Sequence, residues 1–390
     1  MSKAYLAPYG VGLGHASRLA MVAEQLHISG VETMFSSFGE AVRYLTMHGF
    51  DCSISPEVEF AWSMEGGFSV KDSIANIPRW FVNFSKQMVH ESHNLAKYDP
   101  DIILSDSRLS PILAGRLLKV PSVVVLNQIK LLLSPRLREF RAARIFERMN
   151  GEFLGVIWAA ADRILVPDLP PPFTIAEHNI WEISSVSSRL EYIGFTTPRH
   201  LTSKEQIDKV ARALEFDTSK PIVFIHISGP HQTRMPVIRT AIEACKLFGP
   251  GIQFVISEGR AKGKIEPTRV AHSGWYYEWC PVRDEIFAMS SVIVLRGGHV
   301  AISQAIQLGK PIVTIPIDNH GEQLGNSEKV VKLGLGIMLR QKSLTADQIA
   351  RAVHEVIQEP KYREKAMDMM KLAASLNGID NIVKIIRSYL

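Results

Sequence analysis

Cysteine is scarce in this chain and long hydrophobic runs are missing. Cys52, Cys245 and Cys280 are far apart and odd in number. They offer neither a disulfide framework nor a zinc-ligand spacing, which points to a reducing compartment. The longest suspicious apolar run, FLGVIWAAA over 153–161, falls far short of the ~20 residues that cross a bilayer. The opening MSKAYLAPYG carries one lysine and no apolar core of secretory length. The expectation is therefore a cytoplasmic protein whose only membrane contact is peripheral, on the inner face of the cell membrane. Basic runs of the kind that hold nucleic acid are absent, and the net charge of +5 is modest. That balance suits an anionic ligand or an anionic membrane surface and argues against nucleic acid.

What is present is a large apolar fraction, 46% of 390 residues against 21% charged, enough for two hydrophobic cores. KAYLAP, VETMFSS, DIILSD, PSVVVLN and ADRILVP read as buried strands with helical patterns between most of them. This is the rhythm of a parallel sheet with helical crossovers. PDLPPPF and FTTPRH interrupt it between about 167 and 200. PIVFIHIS, IQFVISE, SVIVLR and PIVTIP then resume it, with helices such as PVIRTAIEACKLF between. The expected fold is α/β, two Rossmann-like domains facing a central cleft, over 1–197 and 198–375, with a terminal amphipathic helix over 376–390. Ligands of such sheets bind beyond the carboxyl ends of strands.

APYGVGLGHASRL places Gly10, Gly12 and Gly14 after the first strand and His15 where a helix begins. Glycines let backbone approach a ligand, and the helix N-terminus offers unpaired N–H groups. The spacing G-x-G-x-G-H departs from the dinucleotide fingerprint, and VETMFSS ends in serines where that fingerprint needs an acid. A nicotinamide enzyme is disfavoured. A neutral imidazole at such a turn can take a proton from a hydroxyl; equally, it can cap the helix or bond a carbonyl. Asp106, at the end of DIILSD, can orient His15 as in an acid–His–hydroxyl relay, or cap the helix that starts near Ser110.

In WCPVRDEIFAMSSVIVLRGGHVAISQAIQLGKPIVTIPIDNHGEQLGN (279–326), strand SVIVLR runs through Gly297 and Gly298 into helix HVAISQAIQLG. Arg296 and the helix N-terminus suit a diphosphate. Gln304, inside that helix, is within reach of a ribose hydroxyl. After PIVTIP a polar loop ends in Glu322, Gln323 and Asn326, residue types that suit hydroxyl-rich ligands.

These elements in this order resemble glycosyltransferases of the two-domain GT-B type. Arg296-Gly297-Gly298 is similar to the turn of the bacterial N-acetylglucosaminyltransferase that completes the lipid-linked peptidoglycan precursor. Trp279-Cys280-Pro281 and Glu322-Gln323 resemble the signature of UDP-glucuronosyl- and plant glucosyltransferases, and the whole string resembles archaeal relatives of both. The resemblance implies an acceptor-binding first domain, a donor-binding second domain, and a last helix packing back on the first. It implies His15 as general base with Asp106 as orienting partner. It assigns donor binding to Gly12, Gly14, Ser228, Gly229, Trp279, Arg296, Gly297, Gly298, His299, Gln304, Glu322 and Gln323. Trp279 would stack near uracil, and Gly297, Gly298 and His299 would hold the diphosphate. Trp279 beside Trp275, Tyr276 and Tyr277 also fits an ordinary aromatic core, and His299 a helix cap. Where the family has a ribose-binding Glu, this chain has Gln304.

The implied reaction is an inverting transfer from a UDP-sugar, UDP-N-acetylglucosamine or UDP-glucose, to a hydroxyl or phosphate acceptor. No cofactor or metal is expected, since no D-x-D element stands in a loop that would demand one. In 127–155, Leu131, Leu132, Leu133, Ile145, Phe146 and Met149 accompany Arg138, Arg141, Arg144 and Arg148. IPRWFVNFSKQM (77–88) sets aromatics beside Arg79 and Lys86. Both stretches suit a polyprenyl-linked or other lipid acceptor and an anionic membrane surface, or two ordinary helices. The rival functions are a sugar-nucleotide epimerase of similar fold and a non-catalytic nucleotide-sugar binding protein.

Overall fold

The computed structural model describes residues 2–11, 13–58, 70–133, 135–197, 202–260, 262–271 and 273–390; the side chains of 70–78, 135 and 136 lie outside that set. Among the described residues the chain forms two compact α/β units. One draws on the residues up to 58, 70–197 and 376–390, the other on 202–375.

In the first unit the strands are β1 (Lys3–Pro8), β2 (Glu32–Ser37), β3 (Cys52–Ile54), β4 (Ile102–Asp106), β5 (Ser122–Val125), β6 (Arg163–Val166) and β7 (Leu190–Tyr192). They lie in the order β3-β2-β1-β4-β5-β6-β7, all parallel. Every residue of IILSD and SVVV is buried, as expected where helices cover both faces. Those helices are α1 (Leu13–Ile28), α2 (Gly39–Met47), α3 (Val70–Tyr98), α4 (Leu109–Leu118), α5 (Pro135–Arg138), α6 (Arg141–Trp158) and α7 (Glu177–Ile180). The chain leaves β1 toward β2 on one side and takes up β4 on the other. The sheet therefore changes direction between β1 and β4, where Pro8 pairs with Asp106, and loops diverge there to leave a ligand site.

The second unit repeats the plan. After α8 (Lys204–Ala213) come β8 (Ile222–His226), α9 (His231–Lys246), β9 (Gln253–Ser257), β10 (Thr268–Val270) and β11 (Gly274–Tyr277). Then follow α10 (Arg283–Met289), β12 (Val292–Leu295), α11 (His299–Gln307), β13 (Ile312–Thr314), α12 (Gly321–Lys332), β14 (Gly336–Met338), α13 (Ala346–Gln358) and α14 (Pro360–Ala374). The order is β10-β11-β9-β8-β12-β13-β14, with only the β10–β11 pairing antiparallel among the described strands. Its change of direction falls between β8 and β12, where His226 pairs with Leu295. Four of the strands absent from the sequence expectation, β3, β7, β10 and β14, have three residues each, too few to carry a pattern.

The last helix, α15 (Gly378–Arg387), rejoins the first unit. Ile379, Ile382, Val383 and Ile386 recur at helical spacing and enter the cluster that holds Leu19, Val22, Ala23 and Leu26 of α1. Gly378 N–H donates to the Phe195 carbonyl, and Asn381 Nδ2 to that of Ile193 at 2.8 Å. Ile382 is fully buried, so Ile382→Ala is expected to destabilise the first unit by about 2–5 kcal/mol through a lost contact surface and a cavity. Chemical denaturation reads this as a lower midpoint with an unchanged slope.

Candidate functional site

At the change of direction in the first unit, Gly10 opens the turn between β1 and α1. A Cβ on Gly10 would lie 2.3 Å from the Phe38 ring, so this glycine serves close packing between two turns. Gly12 lies outside the described residues. Gly14 and His15 are the second and third residues of α1. His15 Nδ1 lies 2.7 Å from Asp106 Oδ1, and its ring meets Tyr9 edge-on at 5.8 Å. A carboxylate only accepts, so Nδ1 carries the hydrogen and Nε2 is the basic nitrogen of the neutral ring. The His15 side chain keeps 24% of its surface exposed while that of Asp106 has none.

Asp106 Oδ2 accepts from Arg18 Nη1 at 2.8 Å. Burial pushes the Asp106 carboxyl up, but the charges of Arg18 and His15 outweigh it and hold the group below the usual carboxylate range. Asp106 does not cap α4. Arg108 stands at that N-cap, with no side-chain cap bond. Arg18 was absent from the sequence expectation; its only signal there was its place three residues after His15, on the same helix face.

In the second unit Ser228 and Gly229 follow β8. Gly229 has φ +111°, and its carbonyl accepts from Arg234 Nη1 at 2.9 Å. Arg234 also pairs with Glu258 at 3.1 Å, so a buried ion pair holds this turn. On the neighbouring strand, Arg296 follows β12 and is 3% exposed. None of its three guanidinium nitrogens has a hydrogen-bond partner among the described residues. Burial pushes Arg296 down to about 10, with partial compensation from Asp318. A buried guanidinium with its donors unmet is the local signature of an anion site.

Gly297 has φ +82°, Gly298 is the N-cap of α11, and His299 is the first residue of that helix. A Cβ on Gly298 would meet nothing within 4 Å, so space lies open beside this N-cap. His299 is buried.

The polar loop expected before Asn326 is instead the start of a helix. Glu322 and Gln323 sit in the first turn of α12 and Asn326 in its second. The reason is local: the His320 side chain caps the helix by accepting from Gln323 N–H, and Glu322 suits the positive end of the helix dipole. Gln323 Oε1 accepts from Ile317 N–H at 3.1 Å. Asn326 Nδ2 donates to the Gly297 carbonyl at 3.1 Å and pins the turn after Arg296. Burial pushes the His320 imidazole down; Glu322 opposes this and Arg296 adds to it. Asp318 and His320 also escaped the sequence reading, although both stand in the quoted string.

Gln304 is buried in α11 and donates Nε2 to Asp284 at 2.9 Å. One of its two amide N–H donors is therefore committed, which fixes the amide so that Nε2 faces Asp284. Trp279, 37% exposed, follows β11, whereas Tyr277 is buried and Trp275 donates to the Leu214 carbonyl under Arg269. The second unit thus brings Ser228, Gly229, Arg296, Gly297, Gly298 and His299 to the ends of two adjacent strands, with Gln323 against the Gly297 turn and Glu322 beside it in the first turn of α12. Gly14, His15 and Asp106 belong to the first unit.

Helix α6 carries a further surface. Glu147, Gly151 and Gly155 form its buried side; a Cβ on Gly155 would lie 2.7 Å from Ile183 Cγ2. The glycines let the helix lie close, and Phe140, Ile145, Phe146, Met149, Phe153 and Val156 are left 50–67% exposed. Leu132 and Leu133, expected in the same surface, are buried. Arg138 pairs with Glu147, while Arg141, Arg144 and Arg148 are exposed. No helix among the described residues is long and apolar enough to cross a membrane.

Comparison with known proteins finds similarity to glycosyltransferases. Residues 237–382 match the glycosyltransferase family 28 C-terminal domain. An uncharacterized glycosyltransferase of Methanosarcina acetivorans is 25% identical over 385 residues, covering 97% of this chain and 96% of that protein. The UDP-N-acetylglucosamine--N-acetylmuramyl-(pentapeptide) pyrophosphoryl-undecaprenol N-acetylglucosamine transferase of Legionella pneumophila is 27% identical over 137 residues, 34% of this chain and 38% of that enzyme. Among solved structures, the glycotransferase of kitacinnamycin superposes with a TM-score of 0.69 at 18% identity, covering 100% of this chain and 99% of the other.

Gly297 generates the first test of the second unit's site. A Cβ there would meet Ser327 Oγ at 2.5 Å and the Gln323 carbonyl at 2.7 Å, in a backbone region that favours glycine. Gly297→Ala is expected to destabilise the second unit by about 2 kcal/mol or more. It is also expected to abolish nucleoside diphosphate binding by calorimetry.

Proposed function

We propose that this protein, a glycosyltransferase with the GT-B fold, moves a sugar from a UDP-sugar to a hydroxyl acceptor with inversion and without a metal. The observation that carries the reading is Arg296, a buried guanidinium whose donors find no partner among the described residues, just ahead of the N-terminus of α11. A nucleoside diphosphate supplies the missing acceptors. As the bond between the anomeric carbon and the diphosphate breaks, negative charge grows on the leaving oxygen. Arg296 and the first N–H groups of α11 are built to take that charge. His15 Nε2 accepts the acceptor's proton as its oxygen attacks the anomeric carbon from the opposite face, and Asp106 steadies the imidazolium that results. Glu322 and Gln323 would hold sugar hydroxyls, and Gln304 Oε1 a ribose hydroxyl. His299 would add its backbone N–H to the diphosphate site, with Trp279 near the base.

The partial likeness to an enzyme named for UDP-N-acetylglucosamine and an undecaprenol-linked substrate makes UDP-N-acetylglucosamine the first donor to try, ahead of UDP-glucose, and a polyprenyl-linked lipid the first acceptor. The exposed apolar face of α6, rimmed by Arg141, Arg144 and Arg148, supports an acceptor presented at an anionic membrane surface.

Two outcomes are expected. Arg296→Ala weakens UDP binding in calorimetry about tenfold to a hundredfold, as for charge-assisted hydrogen bonds. His15→Ala leaves UDP affinity unchanged but lowers kcat/KM about 10²–10⁴-fold. Wild-type protein that binds none of UDP, dTDP, GDP or ADP would sink the reading. Met149→Glu with Phe153→Glu is expected to reduce co-sedimentation with phosphatidylglycerol vesicles at least about fivefold, leaving the low binding to phosphatidylcholine vesicles unchanged.

A further inference from the structure

His15 is placed as a base, yet it touches a carboxylate that is wholly buried. A buried carboxylate alone beside an imidazole favours the protonated ring, which is the wrong starting state for accepting a proton. The chain answers this with Arg18. His15 and Arg18 are three residues apart on one face of α1, and both reach Asp106, one at each carboxylate oxygen, at 2.7 and 2.8 Å. The Arg18 side chain is 5% exposed, so solvent screens its charge little.

With the ring neutral, Arg18 and Asp106 sum to zero charge, and both of their side chains are buried. Tyr9 meets the ring edge-on, and the Ser107 hydroxyl donates to the same Asp106 oxygen at 3.3 Å. Neither is charged, so the balance lies between His15, Asp106 and Arg18.

We propose that Arg18 is a positioning residue that compensates the Asp106 charge, so that Asp106 fixes the His15 tautomer without holding the ring in its charged form. Arg18 touches neither donor nor acceptor; it acts through Asp106. The inference rests on His15 being the base. Removing the guanidinium charge leaves a net negative charge on the pair, which then keeps one proton to higher pH. The acidic limb of kcat/KM, where activity falls as the base becomes protonated, therefore moves upward.

The test compares Arg18→Gln with Arg18→Lys in the full chain, reading thermal midpoint, UDP affinity and the pH profile of kcat/KM. In the same variants the His15 imidazole is titrated by NMR, its signal assigned through His15→Ala. Arg18→Gln is expected to raise the limb and the imidazole titration together by about one pH unit, a loss of about tenfold on the acid side that recovers at high pH. Arg18→Lys keeps the charge and stays within about 0.2 units of wild type by the same reasoning. If Arg18→Gln does not fold, Arg18→Gln with Asp106→Asn, which removes both charges, is expected to fold and titrate near the wild-type position. An unmoved titration in Arg18→Gln, an equal shift in both single variants, or a pH-independent loss would overturn the proposal. Wild-type protein with neither UDP binding nor turnover would fell the transferase reading instead, while the imidazole titration would still decide the role of Arg18.

Discussion

Burying an arginine without a counter-charge is the constraint around which the second unit is organised. Several arginines in this chain are nearly inaccessible, and most are answered by an equally buried carboxylate. Arg18 meets Asp106, Arg108 meets Glu91 at 2.5 Å, and Arg234 meets Glu258. These pairs follow the rule that interior charge is neutralised and hydrogen-bonded where it stands. Arg296 breaks the rule. It is as buried as the others, its guanidinium has no bond within the described residues, and Asp318 acts on it only through its field. Arg296 stands directly after β12 and just ahead of α11. Everything around Arg296 holds that arrangement open. Asn326 pins the carbonyl of Gly297, α12 packs so tightly on the turn that only glycine fits, and Gly298 leaves space in front of the helix.

The first unit solves the opposite problem at the same place in its sheet. There a charge has to be present but silent. Asp106 at the end of β4 is fully buried and doubly bonded, and the pairing of Pro8 with Asp106 sets it beside the glycine turn. A catalytic imidazole needs an orienting acceptor, but an unanswered carboxylate would keep it charged. One guanidinium on the same helix face reconciles the two demands. Each unit thus places its unusual charges where its parallel sheet reverses direction: an unbonded guanidinium in one, a His–Asp–Arg cluster in the other.

The sheets were legible in the sequence because parallel strands covered on both faces read as short apolar runs, as in DIILSD and SVIVLR. The three-residue edge strands were not, since nothing so short carries a period. Glu322 and Gln323 were visible as hydrophilic residues after a strand, yet their helical setting depends on the His320 side chain acting as a cap, outside the Ser, Thr, Asp and Asn signals that mark helix starts. Arg18 is the clearest case of the remaining limit. Its partner is 88 residues away, and only the register of β1 against β4 brings the two together. The exposed face of α6 was half legible. The pattern of arginines and apolar residues announced an amphipathic helix, but which apolar residues stay outside is decided by Gly151 and Gly155 lying against Lys130 and Ile183–Ser185.

The amide at position 304 follows from its neighbourhood. A carboxylate can accept from two ribose hydroxyls at once, so Gln304 looks like a loss on its own. Asp284 changes that judgement. It lies 2.9 Å from the Gln304 amide nitrogen and also accepts from Arg283 at 3.0 Å. A glutamate at 304 would set a second carboxylate oxygen against the first, and two like charges at hydrogen-bond distance do not both stay ionised. The amide turns that repulsion into a bond. One of its N–H donors goes to Asp284, which sets which end of the amide faces the carboxylate. The result at this position is a neutral amide held beside a carboxylate that Arg283 already balances, rather than two carboxylates in contact.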